Sequence, residues 1–474
     1  MSRPRAVVIG AGITGLTAAW EITRSRPDVD LVVLESRSRV GGNIVTEEQR
    51  GFLLDGGPDS FLRTKPQAVE LCKELGLDGE LITTLPRAHN VYMAYRGQLE
   101  RMPAGMALAV PSRFGPLIRT RLIGPLGKLR VLGDLWVRRP DELADESIGN
   151  FIARRFGSEV AHKLASPLLG GIYAGDVSQL SILSTFPQLA ELERKHGSLI
   201  IGLLKAQAAM RGRPTSTPRA IVDWLGRASS PAPSPFQSLR RGMGSLIDAL
   251  AERMPPVRVD CAVRAVSRVG EDFRVTLDDG TTLLASAVVF AAPAHVGAQV
   301  LFDGALGDEL GQIPYLSTAT VFFGFREQDI ERSLDGVGFI VPRGEARVLA
   351  GTWVSSKWAG RAPDGHVLLR AFLGGSRGDV DVPQETDEHL SDVALGELRR
   401  LMGRLGEPLF TRVFRYHDSN PQPVVGHAAR LARLDERISQ IPGLALCGAA
   451  FDGVGIPDCV RQGRAAASRV LARI

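Results

Sequence analysis

The chain predicts an α/β fold, and three observations carry that expectation. Val7, Val8 and Ile9 read as a buried strand, Gly10, Gly12 and Gly15 follow in a G-x-G-x-x-G turn, and Leu16 to Ile22 continue as a helix. A second strand, Asp30-Leu-Val-Val-Leu-Glu35, ends in an acid 20 residues beyond Gly15. Near the other end, Leu444 to Asp458 again reads as strand, glycine-rich loop and helix start, with the helix running through Arg461 to Leu471. The spacing gives each early glycine a physical task. Gly10 makes the tight turn, Gly12 lets the backbone approach a pyrophosphate at the helix N-terminus, and Gly15 lets the helix pack closely on its strand. Glu35 ends where a carboxylate accepts hydrogen bonds from the ribose hydroxyls of an adenosine. Alone the glycine turn is a weak signal; strand, turn, helix, strand and acid together read as the opening of a Rossmann-like dinucleotide-binding domain.

At 474 residues the chain exceeds what one compact core holds, so two or three domains are expected. Its 44% hydrophobic and 23% charged residues are those of a globular protein. A net charge of +5 suits an anionic small substrate or an acidic membrane surface. Nucleic acid is not expected as a partner, because no basic tail is interleaved with exposed aromatics. Cys72, Cys261, Cys447 and Cys459 show neither C-x-x-C spacing nor density, so neither a metal site nor a disulfide framework is expected, and a reducing compartment fits. The first strand begins by residue 6, which leaves no room for the charged and apolar regions of a signal peptide. A cytoplasmic location follows as the expectation, with a peripheral membrane contact as its variant. Residues 281–302 carry no Asp, Glu, Lys or Arg, yet the β-branched run 287–290 and Pro293 argue against a membrane span.

Along the chain, residues 51–65 read as a strand and a glycine-rich turn that offers backbone N–H groups, and 66–77 as a helix with Pro66 in its first turn and Gly76 at its stop. Between Arg101 and Arg139 eight basic residues face one acid, Asp134, interleaved with Leu, Ile, Val and Trp136. That pattern suits an anionic membrane surface, or else a solvated helical face. In 166–176, Gly170 and Gly171 admit something flat against the backbone, with Ile172 and Tyr173 as apolar wall; a helix-ending turn is the competing reading. Residues 229–235, rich in Ser and Pro, read as a flexible connection. A helix over 241–250, a strand over 257–263, a hairpin of 273–277 with 281–284, and a strand over 287–290 follow. From about 300 to 420, strands alternate around one helix, 387–404, as in a separate substrate sheet.

The choice between NAD and FAD turns on the residues after Glu35. Arg37 hints at a 2′-phosphate, which Glu35 would repel. Arg39-Val-Gly41-Gly42 closes an R-x-G-G run that resembles the second signature of the flavin amine oxidase superfamily and favours FAD. Further on, Gly57-Pro-Asp-Ser-Phe61, Lys65-Pro66, Glu74 to Leu77, Ser166 to Asp176, Leu180 to Pro187, Gly351 to Trp358, Gly365 to Phe372 and Asn420 to His427 resemble the porphyrinogen oxidases of haem biosynthesis. These motifs run in register through almost the whole chain.

The resemblance implies an amine oxidase-like fold: an FAD-binding Rossmann-like domain, a mixed-sheet substrate domain and a helical insertion that binds membranes in relatives. The division implied is 1–90, 236–298 and 413–474 for FAD, 91–210 for the helical part, 211–235 for linker and substrate-domain segment, and 299–412 for substrate. It also implies non-covalent FAD and removal of six electrons from a porphyrinogen in three two-electron steps, with dioxygen as acceptor and hydrogen peroxide released each time. The flavin would carry that chemistry, so no catalytic side chain is named. The cofactor contacts implied are Gly10, Ala11, Gly12, Ile13, Thr14, Gly15, Glu35, Ser36, Arg39, Gly41, Gly42, Asn43, Gly57, Pro58, Asp59, Ser60, Val263, Tyr416, Gly448 and Ile456. Those for substrate are Lys65, Gly171 and Ile172. Cys459, at a helix start, is either a low-pKa thiol or, as is usual for a buried free cysteine, a packing residue.

Plant protoporphyrinogen oxidases carry Asn near the position of Asp59 and a propionate-binding Arg near that of Val91, and this chain has neither. It shares Lys65 with the coproporphyrinogen III oxidases of Gram-positive type, so the expected reaction is coproporphyrinogen III to coproporphyrin III. Lys65 could instead be a solvated charge, although a cation at a helix start gains nothing from the helix dipole. Protoporphyrinogen IX is the alternative substrate; a flavin amine oxidase and a non-catalytic porphyrin carrier are more distant readings.

Overall fold

The computed structural model describes residues 3–88, 90–137, 144–210, 216, 234–377 and 379–474. Its centre is a four-stranded parallel sheet in the order Asp30–Leu34, Arg5–Ile9, Ala287–Phe290, Leu444–Leu446. Val7, Val8, Val288 and Val289 are fully buried, the near-continuous apolar character a parallel strand needs when both its faces are covered. Helix Ile13–Ser25 packs on one face beside the C-terminal helix Ile456–Leu471. Their backbones approach so closely that a Cβ on Gly463 would lie 2.4 Å from the Thr14 carbonyl oxygen. The other face carries an antiparallel sheet of Val263–Val269, Asp272–Leu277 and Thr282–Ala285, whose Phe273 and Val275 pack with Val7 and Ile9. The uncharged stretch 281–302 therefore folds as two strands and the helix Ala294–Val300. Among the described residues no helix is long and apolar enough to cross a membrane.

Several element bounds depart from expectation for local reasons. The strand expected over 257–263 begins only at Val263, because Asp260 takes φ 51°, although Arg258 still bridges to the strand ending at Leu34. The helix expected over 66–77 is Gln67–Glu74, and Gly76 at φ 72° turns the chain away. That expected over 241–250 is Gly244–Ala251, and the one over 387–404 is Asp387–Met402, capped by the Thr386 hydroxyl at the His389 N–H and followed by Gly403 at φ 85°.

The second layer is a mixed seven-stranded sheet in the order Phe410–Pro421, Tyr315–Arg326, His366–Gly374, Ala350–Trp353, Gly336–Ile340, Asn90–Tyr95, Gln98–Arg101. Residues 91–101 are sheet rather than helical insertion, because the aromatic run Asn90-Val-Tyr-Met-Ala-Tyr95 pairs in parallel with Gly336–Ile340. The bound expected at 413 falls inside Phe410–Pro421, whose Phe414 pairs with Thr320 across the sheet.

The helices from Phe114–Arg119 to Leu199–Met210 form a third unit with its own core, around Phe151, Ile152, Phe156, Leu164 and Leu199. Inside it Arg155, fully buried, lies 2.9 Å from Asp134. Asp134 in turn accepts from the N–H groups of Leu199 and Ile200 at the start of helix Leu199–Met210. Arg138, Arg139 and most of the expected linker, 229–233 included, lie outside the described residues.

Candidate active site

The turn after Arg5–Ile9 forms a cradle made of backbone. Gly10, at φ 99°, donates to the Leu34 carbonyl at 2.8 Å, and a Cβ there would press on Ala291 and Ala292 at 3.0 Å. Gly15 is more constrained: its Cβ would stand 1.9 Å from the Gly10 carbonyl oxygen. Gly12 differs, since the nearest atom to its Cβ would be the Gly42 Cα at 4.0 Å. Gly12 bridges to Gly41, the Gly41 N–H donates to Ala11 at 2.8 Å, and a Cβ on Gly42 would lie 3.2 Å from the Gly12 Cα, so the two glycine turns pack backbone against backbone into one wall. Helix Ile13–Ser25 starts at this wall with no side-chain cap and no acid in its first turn, leaving its N-terminus free for an anion.

Glu35 is buried at the end of the second strand. Its carboxylate accepts from the Ala11 N–H at 2.8 Å and the Arg37 N–H at 3.0 Å, with the Ser36 hydroxyl at 3.4 Å. Cys261, two residues before Val263, donates to the Glu35 carbonyl at 2.8 Å. Arg39 turns inward onto its own loop and donates to the carbonyls of Gly42 at 2.9 Å and Val40 at 3.2 Å, so it braces the R-x-G-G turn. Burial, together with neighbouring Arg37, lowers its pKa.

A second wall is built by the turn after Phe52–Asp55. A Cβ on Gly57 would lie 1.8 Å from the Asn43 carbonyl oxygen and 3.4 Å from the Tyr416 hydroxyl, so the turn is wedged between the 41–43 loop and the large sheet. Asn43 also reaches Ser419 at 3.4 Å. Arg370 donates to the carbonyls of Gly56 at 2.6 Å and Gly57 at 2.8 Å, and Thr320 to Gly56 at 2.9 Å. Among the described residues the buried Tyr416 hydroxyl has no hydrogen-bond partner, and burial pushes it up to about 12. Asp59, expected among the cofactor contacts, has its carboxylate committed elsewhere. Lys357 donates to it at 2.8 and 3.0 Å, the Trp358 indole at 3.0 Å and Ser60 at 2.8 Å. Gly448, at φ 138°, and Ile456, buried at the start of the C-terminal helix, close the cradle from the far strand of the parallel sheet.

On the open side, Lys65 meets Asp458, with Nζ 2.7 Å from each carboxylate oxygen. Asp458 is two residues beyond Ile456, and its charge, after burial, helps push the nearby Tyr173 hydroxyl up to about 12. The chain therefore brings Lys65, the 448–458 segment and the turn Gly171–Tyr173 to one place. Gln422 pins that turn by donating to the Tyr173 carbonyl at 2.9 Å. Ile172 is 54% exposed, and nothing lies within 4 Å of where a Gly171 Cβ would be. Cys459 is buried and its thiol is pushed up to about 11 by burial, which makes it a packing residue. Among the described residues no cluster of His, Cys, Asp or Glu could hold a metal ion.

Sequence reasoning missed Asp458, Lys357, Trp358 and Arg370 as members of this site. The available signal was scarcity: of 57 basic residues seven are Lys, and two of those seven, Lys65 and Lys357, pair here with aspartates.

A side-chain-free backbone wall at Gly12 and Gly42, an uncapped helix N-terminus, a buried acid facing them and a buried Tyr416 hydroxyl with no partner among the described residues together fit a flavin dinucleotide. The family model for flavin containing amine oxidoreductase matches residues 13–471. The coproporphyrinogen III oxidase of Bacillus subtilis (strain 168) is 36% identical over 473 residues, covering 98% of this chain and 97% of that protein. The coproporphyrinogen III oxidase of Staphylococcus aureus (strain NCTC 8325 / PS 47) is 32% identical over 482 residues, covering 98% and 99%. A crystal structure from Exiguobacterium sp. 255-15, of a candidate protoporphyrinogen oxidase, superposes with a TM-score of 0.85 at 32% identity over the full length of both chains. The chain thus belongs to the flavin containing amine oxidoreductases, and its cofactor is FAD.

Proposed function

We propose that this chain oxidises coproporphyrinogen III to coproporphyrin III, passing six electrons and six protons in three rounds to three molecules of dioxygen. The observation that carries this reading is the convergence of Lys65, the exposed Ile172 and the 448–458 segment on one open face. The two bacterial relatives named for this activity support it.

In this reading Gly12, Gly41 and Gly42 would pass the FAD pyrophosphate, Glu35 would receive the adenosine ribose, and the Gly56–Gly57 turn and Tyr416 would seat the flavin ring. Bound FAD supplies the two-electron acceptor. Gly171 leaves room for a flat macrocycle, Ile172 covers it, and Lys65 neutralises a propionate. Tyr173 and Tyr416 stay protonated at neutral pH, and Asp59 is saturated with donors, so these groups orient and exclude water rather than take protons. The test is kcat/KM for the two porphyrinogens, the ratio in which discrimination is read. A clear preference for protoporphyrinogen IX would overturn the choice. One observation favours that second substrate: Asp458 already neutralises Lys65, which suits a ligand with fewer carboxylates.

The membrane contact in this reading is the segment 114–136. Leu126, Leu129 and Trp136 are 82%, 64% and 75% exposed, and Arg119 and Arg121 are exposed near them. A row of large apolar side chains beside cations suits the headgroup boundary of an anionic bilayer. Not all the basic residues of 101–139 face outward: Arg130 is spent on the carbonyls of Arg154 and Arg155, and Arg101 lies 3.3 Å from Asp335.

A further inference from the structure

Arg370 is a buried cation with no ion pair of its own among the described residues; Asp59 and Asp55 act on its charge only from beyond ion-pair distance. Among the described residues two other arginines are buried to the same degree, and each has its acid: Arg155 lies 2.9 Å from Asp134, and Arg361 lies 3.1 Å from Asp55. Arg370, 5% exposed, has no carboxylate within ion-pair distance among the described residues. Its hydrogen bonds go to two neutral acceptors, the carbonyls of Gly56 and Gly57. Its Nε has no partner, and its guanidinium lies over the rings of Phe372 and Phe322 at 4.3 and 5.2 Å. The neighbouring acids are already committed. Asp59 holds Lys357 and Trp358, and Asp55 holds Arg361, the Thr46 hydroxyl and the Met243 N–H. A charge kept out of water without a contacting counter-ion is costly, and burial pulls the Arg370 pKa down, against the nearby Asp59, Tyr416 and Asp55, which raise it. Such a group, short of a contacting anion, is placed to gain from a further negative charge on a ligand.

The place it faces is the cofactor cradle. Gly57, which it holds, is within contact reach of the Tyr416 hydroxyl, the other buried polar group without a partner at this wall. An oxidised flavin ring is neutral; two electrons and one proton taken up leave it with one net negative charge. We propose that Arg370 is a redox-positioning residue, its guanidinium supplying the fixed positive charge that stabilises the bound flavin in its two-electron-reduced, anionic form. A preorganised cation in a site closed to water acts more strongly on such a developing charge than it would in solvent. The inference rests on the reading that the flavin ring lies against the Gly56–Gly57 turn.

The experiment measures the midpoint potential of bound FAD, by equilibration with a reference dye, in the wild type, Arg370→Gln and Arg370→Lys, together with the flavin absorption spectrum of Tyr416→Phe. At a fixed solution potential Arg370→Gln is expected to lower the reduced-to-oxidised ratio at least tenfold, about 30 mV for a two-electron couple, and Arg370→Lys to recover most of it. In the wild type, reduction is expected to take up one proton per two electrons even at pH 6. Should Arg370→Gln fail to fold, that proton count decides: two protons at pH 6 overturns the inference. A flavin-replete Arg370→Gln with wild-type potential overturns it too, including when its KM rises, which would make a substrate carboxylate the counter-charge. If Tyr416→Phe shifts the spectrum while the potential is unmoved in Arg370→Gln, the ring seat stands and the Arg370 role falls; if neither variant changes anything, the seat itself is wrong.

Discussion

Lys65 Nζ lies 2.7 Å from both carboxylate oxygens of Asp458, a residue 393 positions away in the chain. Asp458 is itself held in a tight pocket, since a Cβ on Gly453 or Gly455 would stand 2.9 or 3.0 Å from its carboxylate oxygen Oδ2. The cation read as a propionate ligand therefore already has a partner, fixed to the start of the C-terminal helix, and a substrate carboxylate must compete with it or share it.

Lys65→Ala is expected to raise KM for coproporphyrinogen III about tenfold, the low end of the ~1.5–3 kcal/mol typical of a hydrogen bond to a charged group, because Lys65 is half exposed. Asp458→Asn is expected to lower KM by freeing the ammonium. Steady-state kinetics with both porphyrinogens checks this, and an unchanged KM in Lys65→Ala removes the residue from the site.

The two neighbouring glycines separate binding from folding. A Cβ on Gly12 would come no closer than 4.0 Å to the protein, so Gly12→Val is expected to keep the fold and lose FAD, because the β-branched side chain occupies the pyrophosphate wall. Gly15→Ala forces a Cβ against the Gly10 carbonyl and is expected to cost at least ~1–3 kcal/mol in stability. Flavin content by absorbance and thermal midpoints of both variants are the measurements; retained flavin in Gly12→Val would sink the cradle assignment.

Acid should loosen the wall that holds Gly57. Burial by itself would raise the Asp59 carboxyl, but Lys357 and Arg370, with hydrogen bonds from Lys357 and Trp358, hold it well below the usual carboxylate range. Its contribution to stability is therefore fully present above the unfolded carboxylate value, near 4, and is lost as pH falls below that toward its depressed folded value. Asp59→Asn leaves Lys357 without its counter-charge and is expected to cost about 3 kcal/mol at pH 7, with a shallower loss of stability between pH 4 and 2 than the wild type. Parallel acid-side slopes in thermal melts of the two proteins would contradict this.

Co-sedimentation with liposomes is expected to need anionic lipid, to fall with salt, since exposed charges are screened beyond about 8 Å at physiological ionic strength, and to drop further in a Leu126→Glu, Leu129→Glu double variant. Salt-insensitive or absent binding would leave 114–136 as an ordinary solvated surface.

Much of the cradle was legible because its chemistry is local. Gly10, Gly12, Gly15 and Glu35 lie within one strand-turn-helix-strand unit, where spacing alone dictates which residue reaches which neighbour, and the structure places Glu35 against the Ala11 N–H. Arg39 was readable as part of the R-x-G-G run. Its orientation onto the carbonyls of Gly42 and Val40 was not, since a long side chain's direction depends on the loop it folds over.

By itself the sequence determined the α/β class, the glycine-rich turn between the first strand and helix, the hairpin, and the strand-loop-helix that closes the chain, all of which follow from periodicity and turn chemistry over fewer than about forty residues. Only the tertiary structure decided that 91–101 joins the large sheet, that Asp59 belongs to Lys357, that Lys65 meets Asp458, and that Arg370 is buried with no ion pair among the described residues. The physical reason is range. Electrostatic partners and sheet neighbours are set by which surfaces pack together, and between residues some 300 or 393 positions apart no local pattern of charge or hydropathy carries that information.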